Sequence, residues 1–148
     1  MAPTLDELVR LLPAPSIHLS STAASRDEAI REAGALLVAA GAVDPEYVKQ
    51  MLERERVVST FVGDGIAMPH GTLTAKSDVL KEWLAVLLLD RPVNWAGQPV
   101  TLVIGIAAHG RRYITLLSQL ATALLDDGRA TSLREATTAE QVRALLAS

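Results

Sequence analysis

A chain of 148 residues with 49% apolar side chains is long enough to bury a continuous core as one domain, residues 1–148, without cross-links. Its net charge of −3 and 3% aromatic content supply neither the basic field nor the stacking rings that nucleic-acid binding needs, so nucleic acid is excluded as a partner. Cysteine is absent, which removes disulfides, thiolate metal sites and thiol nucleophiles; with no leader-like N-terminus and no apolar run near the ~20 residues that span a bilayer, the expectation is a cytoplasmic protein without membrane insertion.

Thr4 to Leu12 predicts a short helix, stopped by Pro13 and Pro15, and Ser16 to Leu19 a short strand. Ser25 caps a helix whose apolar positions Ala29, Ile30, Ala33, Leu36, Leu37 and Ala40 keep the helical period, with Gly41 at the left-handed C-terminal position. Asp44 and Pro45 predict the next N-cap and first turn; Val48, Met51, Leu52 and Glu55 mark one face, with Arg54 at its border. Phe61–Val62 and Ile66–Met68 are short extended pieces around the turn Gly63-Asp64-Gly65, and His70 follows directly.

Leu84 to Leu89 and Val100 to Ala107 are uninterrupted apolar runs of strand length, expected mid-sheet with both faces covered, and Arg91 to Pro99 is expected to be the loop between them. Ile114, Leu117, Leu120, Ala121, Leu124 and Leu125 predict a helix over Arg111–Leu125, entered from the preceding strand through His109-Gly110. A strand feeding a helix in this way aims free N–H groups at the strand end, where anions bind. Thr137 or Thr138 caps a last helix bearing Val142, Leu145 and Leu146.

The chemistry narrows by elimination. His18, His70 and His109 have no spacing that makes a zinc site, so no metal is expected. No Gly-x-Ser-x-Gly elbow is present, and the glycines at 63/65 and 105/110 match neither phosphate-loop nor dinucleotide spacing, so no cofactor is expected either. What remains is Met68-Pro69-His70-Gly71-Thr72. Proline restricts the entry, glycine permits close backbone approach, and threonine adds a hydroxyl and an amide around an imidazole able to form covalent intermediates near neutral pH. Taken alone, a Pro-His-Gly turn with a surface histidine is the commoner reading.

The ordered set Glu28-Ala29-Ile30, Tyr47 through Glu55, Thr60, Gly63, Ile66 through Thr72 and Val103 through Ala108 resembles the enzyme IIA family of the bacterial sugar phosphotransferase system, mannitol/fructose type. Ala75-Lys76 and Val79-Leu80-Lys81 look like its mannitol branch. The resemblance runs from about Ser16 to Ala147. It implies an α+β fold, a three-layer α/β/α arrangement with a central mixed sheet flanked by helices, which the alternation of strand and helix patterns matches.

It also implies roles. His70 matches the family's phosphorylated histidine, which takes a phosphoryl group from the phosphocarrier protein HPr and passes it to a cysteine of an enzyme IIB domain during uptake of a sugar or polyol, mannitol first. Arg54 matches the active-site arginine; by itself it reads equally as a solvated helix residue paired with a nearby glutamate. Gly71 and Thr72 would stabilise the phosphoryl group. Tyr113 stands where the mannitol-type pattern has a second histidine; it can donate one hydrogen bond to stabilise the phosphoryl group but supplies no cation, and His109, Arg111 and Arg112 sit where they could replace it, though His109 reads equally as an exposed strand-end residue. A regulatory relative, phosphorylated on His70 but acting by binding a partner, is the alternative. The docking face is expected to be shallow and apolar around a solvent-facing His70, with Ile66, Met68 and the Trp95 loop contributing, although Trp95 also reads as core.

Overall fold

A computed structural model describes residues 5–72, 78–108, 110–124 and 128–147. In chain order the elements are α1 (Leu5–Arg10), β1 (Ile17–Ser21), α2 (Arg26–Ala39), α3 (Glu46–Val57), β2 (Phe61–Gly63), β3 (Ile66–Ala67), β4 (Trp83–Trp95), β5 (Gln98–Ala107), α4 (Gly110–Leu124), α5 (Arg129–Arg134) and α6 (Ala139–Ala147). The strands form one mixed sheet in the order β1-β4-β5-β3-β2. β1 runs parallel to β4, β4 antiparallel to β5, β5 parallel to β3, and β3 antiparallel to β2.

Both faces of the two long strands are covered, as their unbroken apolar sequence requires. Leu84, Val86, Leu88, Leu102, Ile104 and Ile106 point to one side, against Leu8, Leu116, Leu120, Leu133 and Val142 from α1, α4, α5 and α6. Ala85, Leu87, Leu89, Val103 and Ala107 point to the other, against Ile30, Ala33, Leu37, Tyr47 and Met51 from α2 and α3. The period-2 alternation thus divides the apolar side chains between two cores, each large side chain contributing roughly 1.5–3 kcal/mol. The expected three-layer arrangement is the observed one.

Local chemistry explains the element ends. The Ser25 hydroxyl accepts from the Glu28 N–H, and the Glu28 carboxylate accepts from the Ala24 N–H, a reciprocal cap for α2. Gly41 takes φ 73° at its far end. Thr138 is the cap of α6, its hydroxyl accepting from the Gln141 N–H.

Four expectations are corrected. Arg91 to Pro99 is not a loop: β4 and β5 form one long hairpin closed by Ala96-Gly97, both at positive φ (53° and 88°), the signature of a tight turn whose twist matches the strands. Pro92 misleads because it lies where the β4–β5 register shifts, between Leu88 and Val93, and there a missing N–H is tolerated. Helix α3 starts at Glu46 with Pro45 as its N-cap and no side-chain cap, so Asp44 contributes only its carbonyl, which accepts from the Tyr47 N–H. Helix α5, six residues after a left-handed Gly128, has no counterpart in the sequence reading because it is too short to show a period. Finally, Ile66, Met68 and Trp95 are wholly buried and supply no docking face. Thr4, Ala75-Lys76, His109 and Leu125 lie outside the described residues.

Candidate functional site

The site forms at the carboxyl ends of β3 and β5. The parallel pairing Ile66–Leu102 and Ala67–Val103 continues in the same register to a bridge between His70 and Ile106, and the Ile106 N–H donates to the Pro69 carbonyl at 3.0 Å. Pro69 cannot donate to the ladder but can accept, so the strand passes through it without losing register. His70 is therefore an extension of the sheet, and this corrects the expectation of a solvent-facing ring: the residue is 4% exposed. The Tyr113 ring lies against it with centroids 4.2 Å apart and planes tilted by 35°.

The imidazole is oriented by its own backbone. Nδ1 lies 3.0 Å from the Met68 carbonyl oxygen. A carbonyl can only accept, so Nδ1 carries the hydrogen and Nε2 carries the in-plane lone pair. Burial pushes the His70 pKa below its usual 6.5, and the Arg54 charge pushes it the same way; the Met68 contact and the Glu55 charge oppose them. The ring is thus neutral at pH 7, with one nitrogen committed and the other nucleophilic.

Arg54 lies in the last turn of α3, where its Nη1 donates to the Val58 carbonyl at 2.7 Å. One donor of the guanidinium fork is used to hold it, and its charge acts on both His70 and Tyr113. Its neighbour Glu55 points the other way, into the protein: 3% exposed, it accepts from the Thr60 N–H and hydroxyl and from the Trp95 indole N–H.

The Gly71 N–H and the Thr72 hydroxyl both have partners within the protein. The Gly71 N–H donates to the Tyr47 hydroxyl at 2.9 Å, and that hydroxyl donates to the Ile106 carbonyl at 2.8 Å, so the Gly71 amide is already engaged. The aromatic ring passes so close that a Cβ on Gly71 would sit 2.4 Å from Tyr47 Cε1, which is why only glycine fits. Burial raises the Tyr47 pKa to about 12, keeping the hydroxyl protonated and able to bridge. The Thr72 hydroxyl lies 3.4 Å from Gln50 Oε1, and Gln50 also bonds Asp78.

Tyr113 is buried, with its hydroxyl 3.3 Å from His70 Nδ1. Because that nitrogen already donates to Met68, the tyrosine meets the committed side of the ring and not the lone pair. Arg112 is held by Glu82 through its Nε, while Arg111 is exposed at the start of α4. Of the two arginines expected to replace the missing cation, only Arg111 has no carboxylate partner among the described residues. The sequence reading missed the parts played by Tyr47, Glu55 and Thr60. An acidic residue on the apolar face of α3 was the available signal for Glu55, since an unpaired carboxylate does not belong on a buried stripe.

The family model for the phosphoenolpyruvate-dependent sugar phosphotransferase system, EIIA 2, matches residues 10–148. A mannitol-specific phosphotransferase enzyme IIA component from Halalkalibacterium halodurans is 41% identical over 136 residues, which cover 92% of this chain and 94% of the relative. Among solved structures, the crystal structure of IIA mannitol from Escherichia coli matches with TM-score 0.85 and 40% identity over 91% of this chain and 98% of that one. A complex of enzyme IIA and phosphorylated enzyme IIB of the mannitol system from Escherichia coli matches with TM-score 0.86 and 40% identity, covering 92% of this chain and 96% of that chain.

Proposed function

The chain belongs to the phosphoenolpyruvate-dependent sugar phosphotransferase system EIIA 2 family, and we propose on that footing that it is the mannitol-type phosphocarrier, holding the phosphoryl group on Nε2 of His70. It takes that group from phospho-HPr and gives it to a cysteine of an enzyme IIB domain. The mannitol assignment is supported by the mannitol-specific relative, and the IIB partner by the IIA–IIB complex that the fold matches. The observation that carries the mechanism is the Nδ1–H bond to the Met68 carbonyl, which presents Nε2 as the lone-pair nitrogen.

In the accepting step the Nε2 lone pair attacks phosphorus, a P–N bond forms, and the bond to the donor's leaving atom breaks with its electron pair. Nδ1 keeps its hydrogen, so the imidazole becomes cationic, and the Met68 carbonyl, accepting from that N–H, stabilises the charge. In the delivering step a thiolate of enzyme IIB attacks phosphorus and neutral imidazole departs. The transition state spreads charge over three equatorial oxygens, and catalysis then consists of positioning and fixed donors. Arg54 supplies the charge, while the Gly71 N–H serves Tyr47 and the Thr72 hydroxyl meets Gln50.

Among the described residues no helix is long and apolar enough to cross a membrane, and a cytoplasmic location for this single domain is part of the same proposal. Purified phospho-HPr should load one acid-labile phosphate onto the chain and enzyme IIB should unload it. Loading without unloading would turn the reading to a regulatory role; no loading would refute it.

A further inference from the structure

Glu55 is a carboxylate 3% exposed, and among the described residues no cation pairs with it. Its bonds come from three neutral donors, the Thr60 N–H at 2.7 Å, the Thr60 hydroxyl, and Trp95 Nε1–H at 3.0 Å. Burying a carboxylate is costly, and these three bonds are what hold it there. The elements they join explain what it gains.

Thr60 is a pivot between the two residues assigned to phosphoryl handling. On one side, the segment it closes contains Val58, whose carbonyl accepts from Arg54 Nη1. On the other, the Thr60 carbonyl accepts from the Met68 N–H at 3.0 Å, and the Met68 carbonyl accepts from His70 Nδ1 at 3.0 Å. The Trp95 indole ties the same carboxylate to the end of the long β4–β5 hairpin, a part of the sheet remote from the site in sequence.

We propose that Glu55 is the positioning residue that sets Arg54 and His70 relative to each other, by fixing Thr60 against both the end of α3 and the strand that carries the histidine. Glu55 does not touch the phosphoryl group; it acts through Val58 and Met68. The inference rests on the proposed role of His70 and adds to it a role for Glu55, which lies within the matched run Tyr47 through Glu55 but is given none by the resemblance.

The test is a double-mutant cycle, since a residue that merely stabilises the fold would slow transfer equally with or without the arginine. With phospho-HPr as donor, E55A should lower kcat for loading at least about tenfold while KM changes about twofold or less. In an R54A background the same substitution should cost several-fold less than with the arginine present, since only the displacement of His70 then remains. E55Q should recover most of the rate, because its amide oxygen can accept from the Thr60 N–H and the indole while its NH2 faces a rotated Thr60 hydroxyl. A wild-type loading rate in folded E55A, or the same fold-loss with and without Arg54, overturns the proposal. If E55A does not fold, T60V removes only the hydroxyl and should lose several-fold with the same dependence on Arg54; equal losses in both backgrounds again overturn it. The nitrogen resonances of His70 read positioning without any transfer: E55A should weaken the Nδ1–H tautomer preference, and an unchanged signature counts against the proposal. Absence of phosphate on His70 in the wild type would refute the proposed function, whereas normal loading of E55A refutes this inference alone.

Discussion

His18 and His70 are both histidines of the same sheet, yet their surroundings differ in every respect that bears on chemistry. His18, on β1, has a side chain 47% exposed and its Nδ1 2.7 Å from a Glu32 carboxylate oxygen, which also accepts from Ser21 through its other oxygen. His70 is buried against a neutral carbonyl. A surface contact of this kind contributes about 0–1 kcal/mol and leaves the ring solvated. Burial beside a carbonyl does something else: it keeps the ring neutral, fixes which nitrogen bears hydrogen, and delivers the lone pair in one direction. The partner atom, more than the presence of a histidine, separates the surface residue from the ring proposed as nucleophile.

The sharpest way to break the contrast is to delete each ring. H70A should accept no acid-labile phosphate from phospho-HPr, while H18A should load at the wild-type rate and lose no more than about 1 kcal/mol of stability. Phosphate on H70A would dissolve the distinction. Next in size is the arginine: R54A should slow loading about a hundredfold, the scale seen when one charge-stabilising donor is lost, and R54K should fall between, because lysine keeps the charge without the fork. A rapid-quench time course decides this.

Removing the bridge under the acceptor should act on stability instead. Y47F leaves the Gly71 N–H and the Ile106 carbonyl without the hydroxyl that joins them, and should cost about 1–3 kcal/mol in a denaturant melt. The smallest effect is in pH. Because the folded pKa of His70 lies below 6.5, the unfolded chain binds a proton that the folded chain does not, so this residue's share of stability is present above about pH 6.5 and is lost as pH falls through the folded value. The reactive neutral ring should likewise persist below pH 6.5. Titrating His70 by NMR checks both, and a midpoint at or above 6.5 would contradict the burial argument.

Much of the fold was legible because its signals are local. The unbroken run Leu84–Leu89 announced a strand covered on both faces, and Ser25 with Gly41 bracketed α2. The hairpin at Ala96-Gly97 was hidden by Pro92 and Pro99, whose usual meaning is a break; only the register shift shows why the strand tolerates the first. At the site, His70 and Arg54 were legible as matches to a family pattern, but the burial of His70 was not, since it follows from pairing with Ile106, 36 residues later. The same applies to Tyr47, which reaches Gly71 and Ile106 across the sheet. Contacts between distant segments carry no local period, and that is where residue-by-residue reading stopped.

Most directly decisive would be to locate the phosphoryl bond itself. The protein, loaded from phospho-HPr under mild alkaline conditions and examined by phosphorus- and nitrogen-resolved NMR, should carry one phosphate on Nε2 of His70 with hydrogen retained on Nδ1. Phosphate on Nδ1, on another residue, or on none would contradict the assignment of Nε2 as the atom that accepts it.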